Sequence, residues 1–141
     1  MMIFNRLAGT LRRAFLACLC LLVMSACTNL ETIRADSENR ATFTVENRTY
    51  DEIWDAAVRA IEESLTLVSS DKPSGIIKAV SSADVATLSL GEVVAVYIYS
   101  MDEKNIRYWV GVVSEGRFQP SVLARSWHVQ ISAAIRNNLG N

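Results

Sequence analysis

The chain has 141 residues, with 14 lysines and arginines, 15 acidic residues and one histidine, and its formal net charge at pH 7 is −1. This balance gives no basic surface of the kind that nucleic-acid-binding domains use. All three cysteines, Cys18, Cys20 and Cys27, lie within the first 27 residues. The remainder of the chain therefore has no thiol for a nucleophile, a disulfide or a thiolate metal site.

The N-terminal segment has the residue order of a secretory signal peptide. Three arginines without an acidic neighbour precede an apolar run over residues 14–24, and small residues occupy positions 25 and 26. Such an order is typical of a signal that ends at a cleavage site. The apolar run is shorter than the about 20 residues that span a bilayer. We therefore predict that residues 1–26 are a signal peptide.

The end of this segment, Leu22–Cys27 (LVMSAC), resembles the lipobox of bacterial lipoproteins, with Met24 where leucine is usual. The resemblance implies that diacylglycerol is attached to the Cys27 sulfur, that cleavage occurs before Cys27, and that the new amino group is acylated. Several acyl chains hold a domain on a membrane to which one chain binds only reversibly. Thr28 follows the cysteine, and the resemblance then implies an outer-membrane location, with the lipid-anchored domain facing the periplasm.

Removal of the signal leaves 11 basic and 15 acidic residues, a formal charge of −4. Residues 27–41 are largely polar and lack periodicity, which predicts a tether between the lipid and the fold. Residues 42–141 are numerous enough for one small domain with a single core. We predict a single periplasmic domain that begins near Thr42.

The apolar pattern of this domain predicts the order β-α-β-β-β-β-α. Thr49 and Glu52 form a capping box at the start of the first helix, and a four-residue polar connection joins the two strongest β segments as a hairpin. Residues 83–90 are ambiguous and are predicted to be a loop or a broken edge segment. The predicted strands cover residues 42–46, 65–69, 75–82, 92–101 and 106–114, and the predicted helices cover residues 50–64 and 121–139.

Both faces of the predicted hairpin are apolar, which a sheet with one solvated face does not require. Either helices cover one face while another segment touches the second, or the sheet curls on itself. The local pairings predict an α+β fold, an antiparallel sheet of about five strands with two amphipathic helices on one face.

Three aromatic residues of the hairpin, Tyr97, Tyr99 and Trp109, form the candidate binding groove. If they share one face, they line a groove for an apolar ligand or a partner chain. The alternative is that they pack beneath the helices, which is the commoner role of core aromatics.

No other constellation predicts catalysis, a cofactor or a metal site. His128 is the only histidine, and we interpret it as structural because a triad or a zinc site needs partners. Asp51, Glu52 and Asp55 lack the spacing of a calcium loop and are interpreted as solvated acids at a helix start. An enzyme that uses Glu52 and Asp55 alone is kept only as a remaining hypothesis, and the chain is predicted to be non-enzymatic.

The segments Thr49–Ala57 (TYDEIWDAA), Leu67–Asp71 (LVSSD) and Ser74–Ala79 (SGIIKA) resemble, in layout, small lipoprotein domains of Gram-negative bacteria. Similar layouts occur in the helix-grip domains of the lipoprotein C component of the outer-membrane barrel-assembly machinery. The resemblance implies a scaffold or interaction role and supplies no catalytic residue. We therefore predict an outer-membrane lipoprotein that acts with an envelope protein partner. The alternative is a periplasmic module in which the sheet and the last helix enclose a cavity, near Tyr97, Trp109 and Trp127, for a lipid, a cell-wall fragment or a small amphiphile.

Overall fold

A five-stranded antiparallel sheet and two helices make up the described part of the chain, residues 30–83, 91–116 and 126–140 of a computed structural model. The elements are β1 (Arg40–Glu46), α1 (Tyr50–Glu62), β2 (Thr66–Asp71), β3 (Ile76–Val80), β4 (Glu92–Ser100), β5 (Arg107–Gly116) and α2 (Trp127–Asn138). The strands follow one another across the sheet in the order β1-β5-β4-β3-β2. This arrangement confirms the predicted α+β fold and its element order.

Several predicted features lie outside the described residues. These are the signal peptide, Cys27, most of the ambiguous segment (residues 84–90) and the first five residues of the predicted C-terminal helix (residues 121–125). Within the described residues that helix begins at Trp127 and is followed by Gly140 at a φ of +77°. Neither described helix is long and apolar enough to cross a membrane.

The capping box predicted at the start of α1 is present. The Thr49 hydroxyl accepts the backbone N–H of Glu52 at 3.2 Å, and the Glu52 carboxylate accepts the backbone N–H of Thr49 at 2.7 Å. These hydrogen bonds satisfy donors that a helix start leaves without partners, and those to Thr49 lower the pKa of Glu52. The cap determines where α1 begins, and the apolar side of α1 packs against the sheet.

Both helices pack on one face of the sheet, which we call the inner face. Apolar side chains from both helices and from the inner face of the sheet form one buried cluster, which is the core that a two-layer α+β domain requires. Its most completely buried large side chains are Val45, Ile53, Ile61, Ile77, Val94, Val96, Val110, Val112, Ile131 and Ile135.

The opposite face, which we call the outer face, has a smaller apolar cluster of its own. Its buried members from the sheet are Val93, Ala95, Tyr97 and Val113, and they pack with Ile33, which is 4% exposed. Leu30 and Ala35 add partly buried contacts. We call residues 30–37 the strap, because they lie across the outer face before the chain enters β1.

The strap changes the interpretation of the predicted tether. Residues 27–41 were expected to stay clear of the fold, but the described part from Leu30 onward packs against it, and β1 begins at Arg40. The physical reason is that three apolar side chains among polar neighbours bury against a sheet face that would otherwise expose large hydrophobic residues. Of the two arrangements left open for the two-sided hairpin, the structure has helices on one face and the strap on the other.

Candidate functional site

The three predicted groove residues share the outer face of the β4–β5 hairpin. Tyr99 lies opposite Trp109 in the strand register, and their rings are stacked with centroids 5.8 Å apart and planes inclined by 7°. The Tyr97 ring centroid is 6.2 Å from that of Tyr99. The alternative that these residues pack beneath the helices is wrong, because the helices cover the inner face. Tyr108, by contrast, is buried on that inner face.

Gly111 positions the Trp109 indole. A Cβ atom on Gly111 would lie 2.2 Å from Cη2 of Trp109, so the indole occupies the space of the missing side chain. Gly111 pairs with Tyr97 on β4 and with Thr42 on β1. The sequence interpretation did not include Gly111, although a glycine inside a β-branched strand is a known signal of close packing.

The strap divides the three aromatic residues into two roles. The Tyr97 hydroxyl donates to the Ile33 carbonyl at 2.8 Å, and Tyr97 is buried. Burial raises the pKa of the Tyr97 phenol. Tyr97 therefore supports the strap rather than lining a groove, while Tyr99, which is 41% exposed, and the partly buried Trp109 are accessible.

Met101 extends the accessible part of this face. Its side chain is 49% exposed, and its sulfur lies 3.9 Å from the Thr44 hydroxyl, across β5. We call Tyr99, Met101 and Trp109 the aromatic patch. The ion pair between Arg107 and Asp102, at 3.4 Å, lies at the adjacent turn. The patch is thus an apolar surface with polar groups beside it, at the end of the sheet that the β4–β5 turn closes.

A cleft of about 370 Å³ adjoins the patch at the same end of the sheet. Tyr99 borders both. The Tyr50 hydroxyl donates to the Lys72 carbonyl at 2.5 Å, and the Lys72 ammonium lies 2.8 Å from the Asp51 carboxylate, which raises the pKa of Lys72. The lining residues are Tyr50, Lys72, Pro73, Ser74, Gly75, Ile98, Tyr99, Ser100, Asn105 and Tyr108.

This cleft differs in position from the cavity that the ligand-binding alternative expects. That cavity was placed between the sheet and the last helix, near Trp127, whereas the cleft lies beside the first turn of α1 and two β-turns. Tyr97 and Trp109 are on the outer face and Trp127 packs on the inner face. The three residues therefore do not enclose a common space.

His128 has a partner that the sequence did not reveal. Its Nδ1 atom lies 2.8 Å from the buried Ser114 hydroxyl, which also accepts the His128 backbone N–H at 3.4 Å. In the contact with Nδ1, the donor is the hydroxyl or the ring nitrogen according to the tautomer of the imidazole. Burial lowers the pKa of His128. Ser114 thereby caps the start of α2, where Ser126 makes no side-chain cap.

The acidic residues of α1 have separate roles and do not form a carboxylate pair. Asp51 pairs with Lys72, Glu52 caps the helix, and Asp55 is exposed. Over residues 30–83, 91–116 and 126–140, no three His, Cys, Asp or Glu side chains are grouped so that they could hold a metal ion.

Comparisons with known proteins found one kind of similarity. No family model matches the chain, and no curated protein sequence matches it. Among solved structures, a DUF4468 family protein from Bacteroides ovatus ATCC 8483 is similar at 12% sequence identity with a TM-score of 0.31, covering 74% of this chain and 86% of that one.

Proposed function

We propose that the chain is a non-enzymatic, lipid-anchored interaction domain of the outer membrane that faces the periplasm and binds an envelope protein through the aromatic patch. The lipid anchor on Cys27 is implied by the lipobox resemblance. The observation that carries the interaction role is the aromatic patch itself. Aromatic residues and methionine are enriched in protein interfaces, where they fill pockets of the partner.

The aromatic patch differs from isolated exposed hydrophobic residues. Single exposed side chains such as Val68 on β2 are normal for a soluble surface and need no partner. Tyr99 and Trp109 instead form a continuous stacked surface, which Gly111 allows to lie close to the sheet. Rigid aromatic rings lose little conformational freedom when a partner binds them. The patch therefore has the properties of an anchoring surface.

Photocrosslinking in intact cells tests this proposal. A benzoyl-phenylalanine residue at position 99 is expected to form an ultraviolet-dependent adduct with an envelope protein, identified by mass spectrometry, and Trp109→Ala is expected to weaken that adduct. The matched control is the same probe at Val68, which is 49% exposed on the far edge of the sheet. Identical adducts from both positions, or recovery of this chain alone from position 99, would contradict the proposal.

A second candidate function, binding of a small amphiphile, is favoured by the cleft beside Tyr99. Three tyrosines and the polar residues Lys72, Ser74, Ser100 and Asn105 are among its lining residues, and such a mixture of aromatic walls and polar groups suits a small amphiphile. Dodecylphosphocholine below its micelle concentration is expected to shift the amide NMR signals of Gly75 and Ile98. Ser100→Trp should fill the cleft and abolish these shifts, whereas Ser69→Trp on β2 should not. Equal shifts in both variants would count against the cleft as the site.

A further inference from the structure

We infer that the strap holds the aromatic patch close to the membrane surface, so that the protein bound there is itself embedded in that membrane. This inference rests on the proposed function, because it requires the lipid on Cys27 and a protein partner at the patch. It adds the class of partner and the orientation of the domain.

The first step is that the strap is fixed to the outer face by polar and apolar contacts. The Lys78 ammonium donates to the Leu30 carbonyl at 2.7 Å, and the Tyr97 hydroxyl donates to the Ile33 carbonyl at 2.8 Å. The Ile33 side chain is buried in the outer cluster. Beyond the strap, the Asn39 carbonyl accepts the Ser114 N–H at 3.1 Å, which joins this segment to β5.

The second step is the length of chain between the lipid and the first fixed residue. Three residue steps separate Cys27 from Leu30, and a fully extended chain spans at most about 11 Å over that distance. Without the strap, the free segment would reach from Cys27 to Arg40 and would span up to about 45 Å. The strap therefore shortens, about fourfold, the maximum length of free chain between the proposed lipid and the fold.

The third step is the short path from the strap to the patch. The rings of Tyr97, Tyr99 and Trp109 contact one another in sequence, beginning at the hydroxyl that holds Ile33. Along β4, four residue steps separate Tyr99 from Ala95, which belongs to the outer cluster with Ile33, a distance of about 13 Å at the rise of a strand. The patch is thus a short distance along β4 from the sheet residues that the strap covers, and it lies on the same face of the sheet.

The fourth step is the orientation of the helices. They cover the inner face, so one helix layer of about 10–12 Å lies between the sheet and the solvent on that side. The exposed side of α1 carries four carboxylates and one guanidinium. With a lipid attached on the outer-face side, this acidic surface points away from the membrane. A protein embedded in the membrane can reach the patch, and one confined to the deeper periplasm meets the helices.

A quenching experiment on the lipidated protein tests the orientation. A fluorophore on Thr44→Cys, an exposed residue opposite Trp109 on the outer face, and one on the matched control Asp55→Cys, on α1, are compared in vesicles of phosphatidylethanolamine and phosphatidylglycerol with nitroxide headgroups. We expect at least threefold stronger quenching at position 44. Inserting fifteen Gly/Ser residues between Thr28 and Asn29, which leaves the strap sequence intact, should remove the difference. Equal quenching at both positions without the insertion would overturn the inference.

The identity of the crosslinked partner tests the partner class separately. The protein captured from position 99 is expected, when fractionated by itself, to stay in the membrane after alkaline carbonate extraction. A captured protein that carbonate releases would overturn the membrane-embedded partner while leaving the proposed function intact. No captured protein, together with the quenching difference, would overturn the proposed function and the partner class, although the orientation would stand.

Discussion

Gly111 and Trp109 together determine the shape of the exposed end of the outer face. The indole lies where a β carbon of residue 111 would be, and from there it stacks on Tyr99. A strand normally loses stability at an interior glycine, by about 0.5–1 kcal/mol relative to alanine. Here the stacking of Trp109 on Tyr99 offsets the cost of the glycine, because an aromatic ring pair contributes about 0.5–1.5 kcal/mol beyond its buried area. The glycine is therefore part of the patch even though it presents no side chain.

Gly111→Ala is expected to displace the indole and to lower the free energy of unfolding by about 1 kcal/mol. Overpacking costs about 1–3 kcal/mol, and removing a strand glycine offsets part of that cost. Urea unfolding measures the stability, and a red shift of tryptophan emission reports the movement of Trp109. In a Trp109→Ala background the same substitution should cost nothing, because the clash is gone. Equal costs in the two backgrounds would show that the clash is not with the indole.

His128 gives the stability of the domain a dependence on mildly acidic pH. Burial lowers its folded pKa below the ordinary value of 6.5. As pH falls below about 6.5, the unfolded chain binds a proton that the folded chain does not, so stability decreases until the folded pKa is passed. Chemical unfolding at pH 7.5 and 5.5 is expected to show a loss that His128→Gln reduces. A loss of the same size in the variant would assign the effect to other groups.

Among the elements, the strap shows what the sequence can and cannot predict. The apolar residues on both sides of β4 and β5 leave two arrangements open, a cover on the second face or a sheet that curls on itself, and the structure has the cover. The apolar pattern does not identify the cover, because Leu30, Ile33 and Ala35 are scattered in a polar stretch without helix or strand periodicity. The Tyr97–Ile33 hydrogen bond joins residues 64 positions apart, and its register depends on the whole fold.

The site was predictable to the same extent. Strand alternation places Tyr97 and Tyr99 on one face of β4 but leaves open whether Trp109 shares that face, and the register, which brings Trp109 opposite Tyr99, shows that it does. Tyr97 is buried and Tyr99 is accessible because the strap covers Tyr97 and does not extend over Tyr99. No local sequence pattern predicts how far the strap extends. The Ser114–His128 contact likewise depends on how α2 packs on β5. Local rules therefore determine which residues share a face, and tertiary packing decides which of them remain accessible.

Ile33→Ala tests the strap as a structural element. Ile33 is 4% exposed, and removing such a side chain leaves a cavity, so we expect a loss of about 2–4 kcal/mol in the free energy of unfolding. The neighbouring control is Arg34→Ala, whose side chain is 78% exposed and pairs only with Asp36, and it should change stability by less than about 0.5 kcal/mol. Similar small effects of both substitutions would indicate that the strap does not contribute to the stability of the fold.

At the scale of the whole molecule, a short chain connects the proposed lipid to a domain with two different faces. The inner cluster, with both helices, supplies most of the buried apolar surface, and the smaller outer cluster joins the strap to the sheet. The strap therefore links the position of the anchor to the orientation of the fold. In the proposed function the anchor determines the location and the folded domain determines recognition, so we expect mutations to separate the two properties.

Cys27→Ser is expected to abolish lipid attachment while leaving the folded domain intact. Serine lacks the thiol that accepts diacylglycerol, and cleavage and amino-terminal acylation are expected to depend on that step, as the lipobox resemblance implies. Metabolic labelling with a palmitate analogue should therefore be lost, and any protein released from its signal should leave the membrane fraction, because stable anchoring needs more than one acyl chain.

The control for this substitution is Cys20→Ser, which changes a thiol inside the predicted signal and should leave labelling unchanged. The described members of both apolar clusters all lie between Leu30 and Leu139, so a fragment that begins at Thr28 should unfold cooperatively with a mixed α+β circular dichroism spectrum. Label that persists on the Cys27→Ser protein, or wild-type protein that is unlabelled and soluble, would show that Cys27 is not the anchor. Loss of cooperative unfolding in the fragment would show instead that residues before Thr28 contribute to the fold, since the strap and the sheet would then be insufficient without them.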